Sequence, residues 1–336
     1  MWGDKETQFF YDLSPDRILD AVDAHGFRTT GRCLALNSME NRVHEVEIES
    51  PFCPTENPTR SDYFAITKFY RPGRWTQEQI LEEHKFLKDL EESEVPIIAP
   101  IERAGKTLFK CAETDLLYAI FPKKGGRNPD ELDTDQLERL GRLLARLHSV
   151  GKQHLAQHRL KLGPASYGQQ NLDFILAGKH IPAYLESNYK DLVKILLDRI
   201  TPMFKNVINQ RIHGDCHWGN LIWDEQQFTF IDFDDMVSGP PVQDIWLLLP
   251  GRDDETKKKR DIFLNAYETF FHFENSSLKL IEPLRALRFI HFSAWIAKRW
   301  EDPAFKLAFP HFGSDHYWNE QILDIRDQLA NIEAPY

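Results

Sequence analysis

The stretch from Arg211 to Asp235, RIHGDCHWGNLIWDEQQFTFIDFDD, places five aspartates between apolar runs. Carboxylates that lie close together repel one another, and moving them out of water is costly unless a cation lies among them. The runs NLIWD and FTFIDFD have the apolar and aromatic character of short strands. The chain must therefore fold so that these carboxylates either reach solvent or surround a cation.

The same stretch contains a pattern that fits phosphoryl transfer. His213, Asp215 and Asn220 form H-x-D-x-x-x-x-N, and Asp232 follows Asn220 by twelve positions. Such a reaction needs one aspartate that orients the attacking hydroxyl, together with an asparagine and a second aspartate that hold Mg²⁺ against the phosphates of a nucleotide. Mg²⁺ prefers oxygen ligands, and its charge would relieve the repulsion between the carboxylates.

A lysine in an apolar strand of the first third extends this pattern. Lys68 lies in FAITKFY, and the amphipathic helix QEQILEEHKFLKDLEE follows it. A lysine there either faces water at a sheet edge or points at a partner such as the phosphates of a nucleotide. Glu83 is the expected counter-ion, because Leu87 and Leu90 lie on the same helical face, whereas Glu82 is expected to be solvated.

The chain separates into a strand-rich part and a helical part. Ser14 and Pro15 predict the start of a first helix, which Gly26 is expected to close. Short strands then dominate to about residue 121, and KKGGRNPDELDT breaks the pattern before long amphipathic helices begin. We predict an α+β fold with an N-lobe over 1–121, a hinge over 122–128 and a helical C-lobe over 129–336, with Mg-ATP in the cleft between the lobes.

At this point the sequence resembles the aminoglycoside phosphotransferase and choline kinase group, a branch of the protein-kinase-like fold. The resemblance lies in the order of six polar residues along the chain. They are a serine in a loop, a lysine, a glutamate and three polar residues of the Arg211–Asp235 stretch: Ser38, Lys68, Glu83, Asp215, Asn220 and Asp232. Longer blocks, among them LNSMENRV, KFYRPGRWTQEQILEEH, HGDCHWGN and GPPVQDIWLLL, are similar to a bacterial group of stress response kinases.

The resemblance implies a Mg-ATP-dependent serine/threonine protein kinase with a role in stress survival, cytoplasmic and monomeric. It implies Asp215 as the catalytic base, and Asn220 and Asp232 as Mg²⁺ ligands, with Asp232 counted also among the catalytic residues. By the same resemblance, Lys68, paired with Glu83, binds phosphates, Ser38 belongs to the ATP loop, the backbone of residues 120–121 (Ile120 and Phe121) meets the adenine, and Asp244 braces the catalytic loop from behind.

The nature of the phosphate acceptor stays open on physical grounds. IDFDD lacks the glycine that ordinarily follows the metal aspartate of protein kinases, and Asp244 follows Asp232 by only twelve positions. So short a segment leaves little room for a peptide platform, which favours a small acceptor such as an amino alcohol, a sugar or an antibiotic. The family resemblance favours protein serine and threonine, and we follow it.

Several residues of the sequence allow more than one interpretation. His213, Asp215 and His217 could ligate the metal of a hydrolase, and a non-catalytic nucleotide-binding module is a further alternative. Cys216, beside the aspartate, is either a redox sensor or a small buried apolar residue. In the segment IEPLRALRFIHFSAWIAKRW, basic and aromatic residues share one helical stripe: Arg288, His291, Trp295, Lys298 and Arg299. Either the helix buries its aromatic rings while the long basic side chains extend into water, or the stripe contacts the substrate.

Composition limits the remaining possibilities. The formal net charge of −11 disfavours non-specific binding to nucleic acid. No apolar run approaches the roughly 20 residues that a membrane helix needs, and MWGDKETQFFYDLS lacks the character of a secretion signal. The four cysteines, Cys33, Cys53, Cys111 and Cys216, have no metal-site spacing and are expected to be free thiols.

Overall fold

The computed structural model of the chain describes residues 10, 13–52, 56–112 and 114–333. These residues form two units. One consists of Met1–Leu132 with His217–Asp234, and the other of Asp133–Cys216 with Asp235–Tyr336, in each case for the residues that are described. The division into 1–121, 122–128 and 129–336 stays a prediction.

Strands are concentrated in the first third of the chain and helices in the rest, as the sequence predicts. Up to residue 132 the elements are α1 (Pro15–Asp23), β1 (Thr29–Ala35), β2 (Arg42–Ile48), β3 (Phe64–Phe69), α2 (Gln77–Glu92), β4 (Phe109–Lys110) and β5 (Leu117–Pro122). After it come α3 (Thr134–Gly151), α4 (Gln170–Ala177), α5 (Ala183–Ile200), β6 (Gln210–Ile212), β7 (Leu221–Trp223), β8 (Phe228–Phe230), β9 (Val237–Gly239), α6 (Val242–Leu248), α7 (Asp254–Tyr267), α8 (Ile281–Lys298), α9 (Pro303–Ala308) and α10 (Asp315–Glu333).

Helix ends follow from local sequence. The Ser14 hydroxyl accepts a hydrogen bond from the backbone N–H of Arg17, which confirms the predicted start of α1. This helix ends at Asp23, three residues before Gly26, whose φ of 81° belongs to the turn that follows. Thr76 begins α2 with a reciprocal pair of hydrogen bonds to Gln79, and the helix covers the predicted stretch.

In the first unit, an antiparallel sheet has the strand order β1-β2-β3-β5-β4. Ala65 and Phe69 of β3 are buried in a core with Ile18 and Val22 of α1. Because side chains alternate along a strand, Lys68 lies on the opposite face of the sheet from this core.

The second unit is built on helices. One of its cores joins α4, α5, α8 and α10 and includes the fully buried rings of Tyr189 and Trp318. Two short strands, β6 and β9, pair in antiparallel fashion, with Ile212 opposite Val237. This pairing fixes the backbone that leads from β6 into Gly214 and Asp215. In the described parts of the chain, no helix combines the length and apolar composition that a bilayer-spanning segment needs.

Candidate active site

Lys68 lies at the centre of a charge cluster in the first unit. Its Nζ is 3.1 Å from Asp232 Oδ1, 3.2 Å from Asp234 Oδ1 and 3.7 Å from Glu83 Oε1. Burial alone lowers the pKa of this lysine, but the three carboxylates outweigh it and raise the pKa well above its ordinary value. Lys68 is therefore a fixed positive charge at any physiological pH.

The adjacent glutamates Glu82 and Glu83 of α2 differ as their helical positions predict. Glu83 is 1% exposed and reaches Lys68, whereas Glu82 is partly exposed. A buried carboxylate requires a compensating cation. The observed pair therefore fixes the lysine relative to α2.

Asp234 is part of the same cluster, which the sequence analysis did not predict. The sequence alone leaves metal or substrate contact possible for Asp234 and Asp235 but favours solvent or loop hydrogen bonds. In the structure, Asp234 is 2% exposed and bonded to Arg74 as well as to Lys68. Asn41 Nδ2 donates to its Oδ2 at 3.2 Å. The expectation for Asp234 was wrong, because three partners from distant positions enclose it. A sequence signal was present in YRPGRW, whose two arginines follow the lysine strand directly.

The connection between β1 and β2 carries Ser38, and Arg71, the first arginine of YRPGRW, binds this connection. The Arg71 guanidinium donates to the carbonyl oxygens of Met39 at 3.3 Å and Glu40 at 2.9 Å. The backbone N–H of Arg71 donates to Asn41 Oδ1 at 3.0 Å. The residues just after Ser38 are thus fixed by side-chain contacts, without the glycines of a phosphate loop.

Asn220 and Asp232 lie at the same end of the β7–β8 hairpin. Leu221 pairs with Phe230, and the N–H of Ile231 donates to the carbonyl of Asn220 at 3.0 Å. Asp232 has a φ of 58° and a side chain that is 55% exposed, so part of its carboxylate reaches water although Lys68 contacts it. An amide oxygen and an accessible carboxylate are ligands that suit Mg²⁺. The donor set therefore fits this ion.

Ile120 and Phe121 follow each other in β5, opposite Thr67 and Ile66 of β3. The Ile120 side chain is buried in the core with α1, and its carbonyl accepts a hydrogen bond from the N–H of Ile101 at 2.8 Å. Phe121 belongs to the face that carries Lys68. The adenine contact of this backbone stays a prediction.

Asp215 belongs to the second unit, where the backbone before it is tightly constrained. Gly214 has a φ of 87°, and a Cβ there would overlap the carbonyl oxygen of Asp235. The N–H groups of His213 and Gly214 donate to the two carboxylate oxygens of Asp244, each at 2.9 Å. The predicted bracing of the catalytic loop by Asp244 is confirmed.

Asp244 is itself fixed by a buried chain of hydrogen bonds. His148 Nε2 lies 3.0 Å from Asp244 Oδ2, and His148 Nδ1 lies 2.8 Å from the Tyr267 hydroxyl. Burial, followed by the nearby Asp244, raises the pKa of the Tyr267 hydroxyl far above its ordinary value, so this group stays protonated. The chain links α3, α6 and α7 to the loop that carries Asp215.

The side chain of Asp215 has a cationic partner from α8. Arg288 Nη1 donates to Asp215 Oδ1 at 2.8 Å, across 73 positions of sequence. Elsewhere on the same stripe, Lys298 Nζ donates to Asn171 Oδ1 at 2.9 Å, and Arg299 is 3% exposed. The basic side chains of this stripe thus bind groups of the protein, while the Arg288 side chain is still 42% exposed to water. The substrate contact stays a prediction.

The remaining residues of the HGDCHWGN stretch have structural surroundings. Cys216 is fully buried, and this burial raises the pKa of its thiol well above the ordinary value, which favours the apolar role over the redox one. His217 Nδ1 accepts a hydrogen bond from the N–H of Gly219 at 3.0 Å and so caps the short helix Trp218–Asn220. Cys33 and Cys111 are free thiols, and Cys53 lies outside the described residues. Over the described ranges, no cluster of three or more His, Cys, Asp or Glu side chains is arranged to hold a metal ion.

Comparison with known proteins identifies the family. A family model described as "Phosphotransferase enzyme family" matches residues 58–281. The chain belongs to this family. It is 36% identical over 327 residues to Stress response kinase A of Escherichia coli (strain K12), a match that covers 97% of the chain and 95% of the relative. It is 35% identical, with the same coverage, to the serine/threonine protein kinase RdoA of Salmonella typhimurium.

Solved structures of kinases share the fold. The amicoumacin kinase hAmiN, in complex with AMP-PNP, Ca²⁺ and Ami, matches with a TM-score of 0.70 at 18% identity. The match covers 94% of the present chain and 95% of the hAmiN chain. The microcompartment-associated aminopropanol kinase matches with a TM-score of 0.64 at 18% identity, covering 94% and 96%. The predicted kinase-like α+β fold and the prediction of an ATP-dependent kinase are confirmed.

Proposed function

We propose that this kinase transfers the γ-phosphate of Mg-ATP to serine or threonine hydroxyls of proteins, as part of a bacterial stress response in the cytoplasm, where ATP is supplied. The observation that carries the proposal is the 36% identity, over almost the whole chain, to a stress response kinase. The similar Salmonella typhimurium protein is named a serine/threonine protein kinase. The predicted monomeric state is part of this proposal.

The proposed roles follow from the charges of each unit. Lys68, held by Glu83, contacts nucleotide phosphates, and the connection carrying Ser38 covers them. The backbone of Ile120 and Phe121 contacts the adenine. Asn220 and Asp232 hold Mg²⁺, which supplies positive charge to the phosphate oxygens when bound.

Asp215 performs the proton step in this proposal. Its carboxylate orients the acceptor hydroxyl and takes its proton while the oxygen attacks the γ-phosphorus and ADP leaves. Such reactions depend mainly on positioning and electrostatics. The bracing of His213 and Gly214 by Asp244 supports this assignment, since it fixes the backbone that presents Asp215.

A small-molecule hydroxyl kinase is the second candidate function. Its support is the short segment between Asp232 and Asp244, which holds only the short helix Phe233–Asp235 and the three residues of β9 before α6 begins. The names of the amicoumacin and aminopropanol kinases are consistent with small acceptors in this fold.

One experiment separates these candidates. The protein is incubated with γ-labelled ATP and Mg²⁺ in the presence of casein, and in parallel with a panel of amino alcohols, sugars and aminoglycosides. Label on protein serine or threonine supports the proposal, and label on a small molecule alone supports the second candidate. A non-catalytic nucleotide-binding module would transfer no label, and a metal-dependent hydrolase would act without ATP.

Matched variants show whether the transfer belongs to this site. Asp215→Asn should remove it. Asp224→Asn is the control, because this aspartate lies in the same stretch but serves the β7–β8 turn by accepting from the N–H groups of Gln226 and Gln227. Asparagine accepts such bonds as well. Transfer by Asp224→Asn should therefore equal that of the unmodified protein.

A further inference from the structure

Arg288 binds the carboxylate to which the proposed function gives the proton step. Its Nη1 donates to Asp215 Oδ1 at 2.8 Å, and the side chains of Arg288 and Asp215 are 42% and 23% exposed. This pair is therefore neither a fully solvated surface contact nor a fully buried one. A charge-assisted hydrogen bond at this distance restricts the orientation of a carboxylate.

The helix that carries Arg288 is firmly held. In α8, Leu284, Leu287 and Ile290 on both sides of Arg288 are at most 2% exposed. Leu287 and Ile290 belong to the core that joins α8 with α4, α5 and α10. Arg288 therefore has a fixed origin from which its guanidinium reaches Asp215. The backbone before Asp215 is fixed by Asp244, so loop and side chain are held by different helices.

We propose that Arg288 is a positioning residue for phosphoryl transfer, holding Asp215 by Oδ1 so that the acceptor hydroxyl meets Oδ2. This inference rests on the proposed function. In the step concerned, the acceptor oxygen forms a bond to the γ-phosphorus, the bond from that phosphorus to the bridging oxygen of ADP breaks, and the hydroxyl proton goes to Oδ2. The guanidinium holds Oδ1 through the 2.8 Å hydrogen bond and leaves Oδ2 for the acceptor hydroxyl.

In the described part of the second unit, the charged or titratable groups near Asp215 include Arg288, Asp244 and Cys216. Arg288 approaches from α8, Asp244 from α6, and Cys216 follows Asp215 in the chain. Only Arg288 among these three carries positive charge, because Cys216 stays a neutral thiol and Asp244 is an acid. Removing the guanidinium should therefore destabilise the Asp215 carboxylate.

The test compares Arg288→Gln, Arg288→Lys and the control Arg285→Gln. Arg285 lies on the same helix, donates to the carbonyl of Pro250 and lies near Glu282, so its loss removes the same charge without touching Asp215. The assay measures label transfer from ATP to casein, or to the small molecule labelled in the experiment above. ATP affinity and thermal unfolding are measured for each variant.

Arg288→Gln should lower kcat about 10- to 100-fold, the size expected for loss of a charged hydrogen bond. ATP affinity should change less than about twofold. The acidic limb of the kcat–pH profile should move to higher pH, since loss of a neighbouring cation disfavours an ionised carboxylate. Arg288→Lys should recover most of the rate and of the profile, and Arg285→Gln should match the unmodified protein.

A double variant separates this inference from the proposed function. If Arg288 acts through Asp215, adding Arg288→Gln to Asp215→Asn should cause no further loss. Unchanged kcat and pH profile in Arg288→Gln, or a rise in kcat, would overturn the inference while Asp215→Asn remained inactive. Wild-type transfer by Asp215→Asn would instead overturn the role that the proposed function gives to Asp215. If Arg288→Gln unfolds, Arg288→Met, which also removes the charge, takes its place, and an unshifted pH profile at a reduced rate in that variant would overturn the inference.

Discussion

Replacing Asp234 with asparagine tests whether the charge cluster around Lys68 stabilises the first unit. The change keeps the shape of the side chain but removes its charge. Arg74, whose side chain is 7% exposed, also lies 3.5 Å from Glu40 Oε2, and this ion pair remains after the change. Lys68 retains Asp232 at 3.1 Å and Glu83 at 3.7 Å.

The size of the effect follows from these distances. At 3.2 Å and an effective dielectric constant near 20, the attraction between Lys68 and Asp234 is about 5 kcal/mol before desolvation is subtracted. Removing one partner of a buried ion pair destabilises proteins by about 3–5 kcal/mol. Because Glu40, Asp232 and Glu83 still compensate part of the positive charge, we expect a loss of about 3 kcal/mol.

The assay is urea unfolding followed by tryptophan fluorescence. Trp75 reports on this region, because the Arg74 guanidinium lies 5.1 Å from its ring centroid. Glu225→Gln is the matched control, since Glu225 forms a 3.1 Å pair with Arg127 in the same unit, with side chains that are 73% and 70% exposed. Solvated pairs contribute little. If Asp234→Asn changes the unfolding free energy by no more than this control does, the stabilising role assigned to the cluster is wrong.

Three further predictions concern the site. Lys68→Met should weaken ATP binding about 10- to 100-fold, the loss expected for a charged hydrogen bond, measured by calorimetric titration; affinity within twofold of the original would contradict the phosphate contact. Asp232→Ala should abolish the Mg²⁺ dependence of ATP affinity, measured by the same titration with and without EDTA, whereas an unchanged Mg²⁺ response would place the metal elsewhere. Because burial raises the pKa of its thiol, Cys216 should resist iodoacetamide at pH 7.5 in the folded protein and react after unfolding in urea, as peptide mass spectrometry would show; rapid labelling of the folded protein would contradict its buried position.

The elements that were predictable from the sequence are those that depend on neighbouring residues. The limits of α2 follow from its apolar periodicity and from the Thr76 cap. The choice of Glu83 over Glu82 follows from the same periodicity. Lys68 was predictable as a functional candidate because it is a charged residue within an apolar strand. The pairing of β3 with β2 and β5 places its side chain on one face of the sheet.

The contacts that were missed join positions far apart in the chain. Asp234 meets Arg74 across 160 positions and Asn41 across 193, and Arg288 meets Asp215 across 73. Periodicity along one helix or strand gives no information about such partners. The sequence shows that residue 234 is an aspartate, but it does not show that this aspartate is buried. Its burial depends on the cations Arg74 and Lys68, which the fold brings to it.

The chemical role of Asp215 is tested most directly by the single-turnover rate of label transfer from Mg-ATP to the acceptor. The measurement compares the unmodified protein with Asp215→Asn at equal nucleotide occupancy. The proposed proton step predicts a rate at least about 100-fold lower in the variant, with ATP affinity unchanged. Equal rates in the two proteins would contradict it.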